Sequence, residues 1–196
     1  MTPEQTRNPG RPRSEAAHQA ILTAAQDLLH ELPLAGITSA ALAKRAGVSK
    51  ATLYRWWPSK EAILLEGYFE GIKEICAAPE TGDALVDLRE HIRQAYTAMA
   101  GPDGVIFASL VADGHAHPEM RKALNDELNS PRCEDVEHML KRAMDAGQLR
   151  PDLDVILVVD HLFGPLFSRL MKGQPVEENL GERVFDMLLA GLLPNP

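Results

Sequence analysis

Apolar residues recur at helical spacing along most of this chain, and glycine and proline fall between the stretches that carry them. No stretch alternates apolar and polar residues over a strand length, and no Asn-Gly hairpin turn is present. The pattern therefore predicts an all-α protein. We expect a first helix that Ser14 caps and Pro33 ends, and a longer helix capped by Ser59. Further helices are expected at 83–100, 103–116, 118–130, 133–147, 153–173 and 177–193.

Two very short helices, SAALAKRA and KATLYRWW, lie between these two and are joined through Gly47. Thr38 or Ser39 can accept hydrogen bonds from the first free amides of one helix, and Ser49 from those of the other. Gly47 supplies the positive φ that a tight turn requires. The arrangement is typical of a helix-turn-helix, whose second helix enters the major groove of DNA. Two ordinary core helices are the alternative.

The charge distribution favours the DNA-binding interpretation. The formal net charge is −8, but residues 1–60 carry eight basic and four acidic side chains. Residues 61–196 carry 12 basic and 24 acidic ones. A basic end on an acidic remainder is expected when one end of a protein meets a polyanion.

The second short helix must present small or polar side chains to the base edges in the groove. Ser49 opens this helix with unpaired amides that suit a phosphate, and Lys60 stands beside the similar helix start at Ser59. The expected base-reading side chains are Lys50, Ala51, Thr52 and Arg55.

The run ITSAALAKRAGVSKATLYRWWPSKEAILLEGY, residues 37–68, resembles the DNA-binding signature of the tetracycline-repressor (TetR) family. With GRPR and the first helix, the resemblance covers about residues 10–75. The stretches DGHAHPEMRKAL, GQLRPDLD, HLFGPLFSRLMKGQP and LLAGL resemble the regulatory half of one branch of that family. The resemblance implies a three-helix helix-turn-helix domain and a helical-bundle domain for regulation and dimerisation. It also implies a homodimeric repressor that leaves its operator when a small molecule binds.

Individual positions carry over from this resemblance. Arg45, at the end of the second helix, matches a contact to the DNA backbone or a base. Trp56 departs from the histidine common at its position, and its indole can donate to phosphate but carries no charge. Trp57 is expected to pack inside the domain. Phosphate contacts are implied for Thr38, Tyr54 and Lys60.

Residues 1–13, with three prolines and three arginines, are expected to form a flexible basic arm. Arg11 and Arg13 suit the minor groove, where narrow A·T tracts attract arginine. A disordered arm that supplies nonspecific attraction is the alternative, and the sequence leaves both open.

The domain boundary is expected near residue 75, with a DNA-binding domain at 14–75 and a ligand-binding and dimerisation domain at 76–196. Pro165 interrupts an apolar helix and is expected to bend it. Aromatic and Met side chains on apolar helix faces are candidates for an effector cavity, namely Phe107, Met139, Phe163, Phe167 and Met171. The last two helices are rich enough in leucine for a dimer interface, with Leu162, Leu166, Leu170, Val184 and Leu188.

Other classes of protein find little support. No nucleophile elbow, phosphate-binding glycine loop, His-Glu-x-x-His or CxxC motif marks an enzyme, and we expect no cofactor. His115 and His117 do not share a helix face, so we expect surface histidines and no metal site. Cys76 and Cys133 are expected to be inert, as in a reducing cytoplasm, and no apolar run approaches the ~20 residues of a membrane span. A constitutive DNA-binding regulator or an activator, without effector, is the remaining alternative.

Overall fold

The computed structural model describes the backbone of residues 11–76, 79–128 and 135–193, with side chains from Glu15 onward. Within these ranges the chain forms ten α-helices and a 3-10 helix, and no strand. This confirms the all-α fold. The helices are α1 (Arg11–Glu31), α2 (Ser39–Arg45), α3 (Lys50–Trp56), α4 (Lys60–Ile75), α5 (Ala84–Met99), α6 (Pro102–Ala116), α7 (Pro118–Leu128), α8 (Asp135–Asp145), α9 (Val155–Met171) and α10 (Leu180–Leu192), with the 3-10 helix at Leu34–Gly36.

Local capping fixes the starts of α2, α3 and α4. The side-chain oxygens of Thr38, Ser49 and Ser59 each accept a hydrogen bond, at 3.1–3.2 Å, from the backbone amide three residues further on. Gly47 adopts a φ of 66° in the turn between α2 and α3. The expected caps and the glycine turn are therefore confirmed, with Thr38 rather than Ser39 as the cap of α2.

The first helix begins earlier than expected. Its backbone is already helical at Arg11, so Ser14 lies inside α1 and is not its N-cap. Pro12 is compatible with this start, because the first turn of a helix does not use its backbone amides and proline lacks one.

One hydrophobic core joins α1–α4 to α6 and α7. Leu42 and Leu53 of the two short helices are fully buried in it, and Phe107 and Leu110 of α6 belong to the same cluster. The chain crosses from one expected domain to the other near residue 75, but the core continues across that point. Within this core α1 packs on α6 and α4 packs on α7.

A second core unites α5, α8, α9 and α10. Tyr96 is fully buried there, its ring packs against Gly181, and its hydroxyl donates to the Leu162 carbonyl at 2.6 Å. The helix α9 continues through Pro165, which leaves the neighbouring His161 carbonyl without its ladder donor. The tyrosine therefore anchors α9 next to the point where its backbone ladder is interrupted.

Candidate nucleic-acid interface

The exposed face of α3 is the face expected to read bases. Lys50, Ala51 and Arg55 are exposed, while Leu53 is fully buried and holds the helix on the core. Thr52 is half-buried, and its hydroxyl lies 2.9 Å from the Ser49 hydroxyl. The turn that would meet the groove is thus held by a side-chain pair as well as by the backbone cap.

Hydrogen-bonding groups from α2, α3 and α4 meet at the first turn of α2. The Tyr54 hydroxyl lies 2.6 Å from the Ser39 hydroxyl, so α3 reaches the start of α2. Lys60 Nζ donates to the Ile37 carbonyl at 3.0 Å, next to the cap residue Thr38. The sequence-predicted residues Thr38, Tyr54 and Lys60 therefore come together around free helix amides, an arrangement that suits a phosphate.

Ser39 is a member of this cluster that sequence reasoning did not select for DNA binding. Its hydroxyl is the group that Tyr54 contacts. The only signal in the sequence was its place beside the cap residue Thr38, where it was considered as an alternative cap. We define the phosphate cluster as Thr38, Ser39, Tyr54 and Lys60.

Arg45 is held by α1 in this structure. One of its nitrogens donates to Asp27 at 3.2 Å and to Glu31 at 2.9 Å, and a second donates to Glu31 at 2.5 Å. Hydrogen bonding to Glu31 raises the pKa of the guanidinium, and the same bonds lower the pKa of the Glu31 carboxyl. Arg45 thus fastens α2 to α1, and its expected DNA contact, which would exchange these partners, stays a prediction.

The two tryptophans have different environments. Trp57 is buried, donates to the Glu66 carboxylate at 2.6 Å and stacks on His18 with ring centroids 4.6 Å apart, which confirms its packing role. Trp56 is 39% exposed, meets His18 edge to face, and lies under the Arg55 guanidinium at 5.8 Å. Its position at the surface end of α3 is compatible with a phosphate contact, which stays a prediction.

The basic arm can be placed only in part. Arg11 and Arg13 belong to the first turn of α1, but their side chains and all of residues 1–10 lie outside what the structure describes. The minor-groove contacts of these two arginines stay predictions.

The structure brings together only some of the residues expected to form an effector cavity. Phe107 is buried in the first core and stacks on Phe167 at 5.5 Å, and Phe163 adjoins Phe167 at 6.4 Å. Met139 is buried in the second core. Met171 alone of the five lines a cleft of about 630 Å³ between α6 and the α9–α10 connection. Three of the five are thus in ring contact and Met139 lies in the other core, and the role of the five in effector binding stays a prediction.

The expected dimer residues need correction. Leu162, Leu166 and Val184 are at most 4% exposed and belong to the second core of this chain, so they are not available to a partner. Leu170 and Leu188 are partly buried. Because α9 is apolar around much of its circumference, the sequence did not show which face turns inward. The large apolar side chains that α9 and α10 expose are Ile156, Leu157, Phe167, Met171 and Met187.

Features that would indicate other chemistry have structural explanations. His115 and His117 are exposed, and His117 pairs with Asp113 at 2.9 Å; in the described ranges no three His, Cys, Asp or Glu residues could hold a metal ion. Burial of Cys76 raises the pKa of its thiol to about 11, whereas Cys133 lies outside the described residues. No single described helix is long and apolar enough to cross a membrane, and α5 and α6 meet that test only as a pair bent by 80°.

Comparison with known proteins agrees with this geometry. Residues 21–66 match the family described as bacterial regulatory proteins, tetR family, and residues 78–188 match the tetracyclin repressor-like C-terminal domain. The chain is 32% identical over 162 residues to the HTH-type transcriptional regulator YdeS of Bacillus subtilis (strain 168). This alignment covers 83% of this chain and 82% of that protein.

Solved structures show the same architecture. The TetR family transcription regulator SCO0332 superposes with a TM-score of 0.79 at 33% identity, over 91% of this chain and 99% of that chain. The flavonoid-responsive regulator FrrA superposes with a TM-score of 0.63 at 23% identity, over 93% and 100%, and shows a likeness of fold. The chain therefore belongs to the TetR family, and it is a transcriptional regulator with a DNA-binding helix-turn-helix rather than an enzyme.

Proposed function

We propose that this regulator is a repressor: as a homodimer it occupies an inverted-repeat operator in duplex DNA and leaves it when a small molecule binds to residues 80–196. The phosphate cluster is the single observation that carries the proposal. It places hydroxyls, an ammonium and free helix amides around the start of α2, and through Tyr54 it adjoins the exposed face of α3. Phosphate contacts there position α3, and the side chains on α3 read the bases.

The proposed homodimer follows from the size of the reading surface. One α3 per chain contacts too few base pairs to define a site alone, and two related by a twofold axis read half-sites about 34–36 Å apart or a multiple of that. Exposed apolar side chains of α9 and α10, among them Ile156, Leu157 and Met187, support dimerisation through these helices. Met187, at 72% exposure, is the most exposed of them.

The proposed effector acts from a distance. Residues 61–196 carry an excess of 12 acidic side chains and are repelled by phosphate, so this half stands away from DNA. A ligand there can weaken operator binding only by favouring a conformation in which the two α3 helices no longer match the groove. The helix α4 begins at Lys60 in the phosphate cluster and packs on α7. It is therefore the element that carries a conformational change from the ligand-binding half to the DNA-binding surface. The name of FrrA, flavonoid-responsive, gives one relative of this fold that responds to a small molecule.

Recovery of bound genomic fragments tests the DNA-binding part. The purified protein is mixed with sheared DNA of its source organism, and bound fragments are sequenced with and without Lys50→Ala and Arg55→Ala. We expect wild type to enrich a few fragments that share an inverted repeat, and the double variant to lose that enrichment. Enrichment of no common sequence, or gel filtration showing a stable monomer that still binds specifically, would contradict the proposal.

The effector part has a separate test. A thermal-shift screen across a metabolite library finds compounds that bind, and each is then titrated with and without operator. By linkage, an inducer must bind more weakly to the operator complex by the same factor as it weakens DNA binding. If every bound compound has equal affinity in the two titrations, the regulator is constitutive and the effector part is wrong.

A further inference from the structure

The cleft between α6 and the α9–α10 connection has the volume of a small-molecule site. At about 630 Å³ it falls within the ~300–1,000 Å³ typical of such sites. Val105 and Ala108 form the α6 wall, and Met171 and Gln174 stand across from them. The small side chains on α6 leave room for a ligand to lie against the helix.

The lining of the cleft restricts the chemistry of a ligand. None of its described side chains is ionisable, and its polar side chains are the Ser109 hydroxyl and the Gln174 amide. Ser109 already donates to the Val105 carbonyl at 2.9 Å, so its hydroxyl has lone pairs left to accept one further bond. A ligand charge placed here would lose water without gaining a counter-charge, which is costly. The cleft therefore favours an uncharged, largely apolar molecule with one or two polar groups.

The base of this cleft is a closely packed corner between α5 and α6. A Cβ added at Gly104 would collide with the Met99 carbonyl oxygen and would lie 2.9 Å from Leu170 Cδ2 on α9. Gly104, Met99 and Leu170 all line the cleft. Leu170 of α9 thus packs directly on the first turn of α6, so a shift of α9 toward α6 would press on that turn.

Asp103 lies in that turn and contacts both helices that support the DNA-binding surface. Its carboxylate is 3.3 Å from His30 Nε2 on α1, and its backbone carbonyl accepts a hydrogen bond from the Tyr68 hydroxyl on α4 at 3.1 Å. Gly101 and Gly104, on either side of it, line the cleft. The segment 101–104 thus lines the cleft and also contacts α1 and α4 through Asp103.

One ionisable side chain faces the Asp103 carboxylate. Burial raises the pKa of the Tyr68 hydroxyl well above its usual value and that of the Cys76 thiol to about 11, so both are neutral at pH 7. His30, with its side chain 48% exposed, is the ionisable group left facing the carboxylate among the described contacts. Asp103 and His30, 3.3 Å apart, therefore form a polar side-chain contact between α6 and α1.

Resting on the effector-released repression proposed above, we propose that this cleft binds an uncharged, largely apolar small molecule. Asp103 then transmits its occupancy to α1 and α4 through His30 and Tyr68. Asp103 is a positioning residue that touches neither ligand nor DNA.

The ligand class is tested with two dyes of the same ring system. N-phenyl-1-naphthylamine is uncharged, whereas 8-anilinonaphthalene-1-sulfonate carries one negative charge, and both fluoresce in apolar surroundings. Val105→Trp fills the cleft, and Val86→Trp makes the same change at an exposed site on α5 outside it. We expect the neutral dye to bind wild type and Val86→Trp alike, and Val105→Trp about tenfold more weakly or worse, a loss of ~1.4 kcal/mol.

Several results would overturn the site. The site would be wrong if the neutral dye did not bind, or if the sulfonate bound as tightly or more tightly. It would also be wrong if the neutral dye bound both tryptophan variants equally. A change of oligomeric state in Val105→Trp alone, measured by sedimentation velocity, would show that a second copy of the chain covers the cleft. That result would overturn the small-molecule assignment.

The proposed relay, in which Asp103 transmits occupancy of the cleft to α1 and α4, is tested with a matched pair of carboxylates on α6. Asp103→Asn removes the charge that faces His30 and keeps the carbonyl that Tyr68 contacts. Asp113→Asn removes the equivalent charge that faces His117 at the other end of the helix. We expect saturation with the neutral dye to weaken operator binding by about 5–150-fold in wild type and in Asp113→Asn.

In Asp103→Asn the dye should bind as before, and its effect on operator affinity should fall several-fold. An undiminished effect in Asp103→Asn, or no effect in wild type, would overturn the relay. The dye-binding assay contains no DNA, so failure of the cleft assignment leaves operator binding standing. Failure to find an operator would leave the dye result intact.

Discussion

Replacing Lys60 by alanine is expected to weaken binding to all DNA sequences by a similar factor. Lys60 Nζ lies at the start of α2 in the phosphate cluster, and the side chain is 26% exposed, so the ammonium can meet a phosphate without moving far. Since phosphate contacts position the protein but read no base, the preferred sequence should not change. Tyr54→Phe should behave in the same way.

The magnitude appears most clearly in the salt dependence. Each phosphate neutralised contributes about 0.9 to the slope of log affinity against log salt concentration. Two copies of Lys60 in a dimer therefore account for ~1.8 of that slope. Between 50 and 200 mM salt the ratio of wild-type to variant affinity should fall about tenfold.

Fluorescence anisotropy of a labelled operator duplex at several salt concentrations measures this slope. Lys122→Ala is the matched control, because Lys122 is 76% exposed on α7 and pairs with Asp126 in the acidic half. It changes the net charge equally and should leave the slope unchanged. Thermal unfolding guards against a folding defect, since Lys60 also donates to the Ile37 carbonyl, a bond worth about 1 kcal/mol.

Three outcomes would refute this reasoning. A slope equal to that of wild type would show that Lys60 does not neutralise phosphate. An equal loss of slope in Lys122→Ala would show a general charge effect rather than a contact. A changed base preference in Lys60→Ala, read from selection on randomised duplexes, would place the lysine on a base edge.

Other outcomes follow from the same structure. Thr52→Ala should change base preference at one or two positions of the selected site, and unchanged preference would remove it from the reading surface. Met187→Asp should dissociate the dimer in sedimentation velocity whereas Val86→Asp should not, and a stable Met187→Asp dimer would place the interface elsewhere. The Asp87 carboxyl is fully buried, and hydrogen bonds from Thr81 lower its pKa below the usual 3.8. The ionised carboxylate therefore stabilises the folded protein above pH 3.8, and this stabilisation is lost as the pH falls through the lowered pKa. The melting temperature of wild type should therefore fall more steeply below pH 4 than that of Asp87→Asn, and parallel curves would contradict this.

Features set by local physics were predictable from the sequence. Thr38, Ser49 and Ser59 cap their helices because a side-chain oxygen at that position meets an amide three residues away, whatever the rest of the fold does. The positive φ at Gly47 is local in the same sense. The start of the first helix was misplaced at Ser14, because a proline just inside the helix was interpreted as part of an arm.

Features set by distant contacts were not predictable. The ion pairs of Arg45 with Asp27 and Glu31 join residues 18 and 14 positions apart, and no periodicity reveals them. The dimer candidates Leu162 and Leu166 are apolar residues on a helix that is apolar on more than one side, so hydrophobicity did not separate the core face from the exposed face. The cleft residues come from two distant segments, 99–112 and 170–176, and all but Ser109 and Gln174 are glycine, proline or apolar residues, which carry no chemical signal in a sequence.

The central claim, specific binding of an inverted repeat by a dimer, is tested most directly by selection from randomised duplex DNA at physiological salt. Bound duplexes are separated by size, so that the number of protomers on each is known, and are then sequenced. We expect two protomers on an inverted repeat whose half-site centres are about 34–36 Å apart or a multiple of that. Enrichment of a single asymmetric site bound by one protomer, or of no sequence above the starting pool, would contradict it.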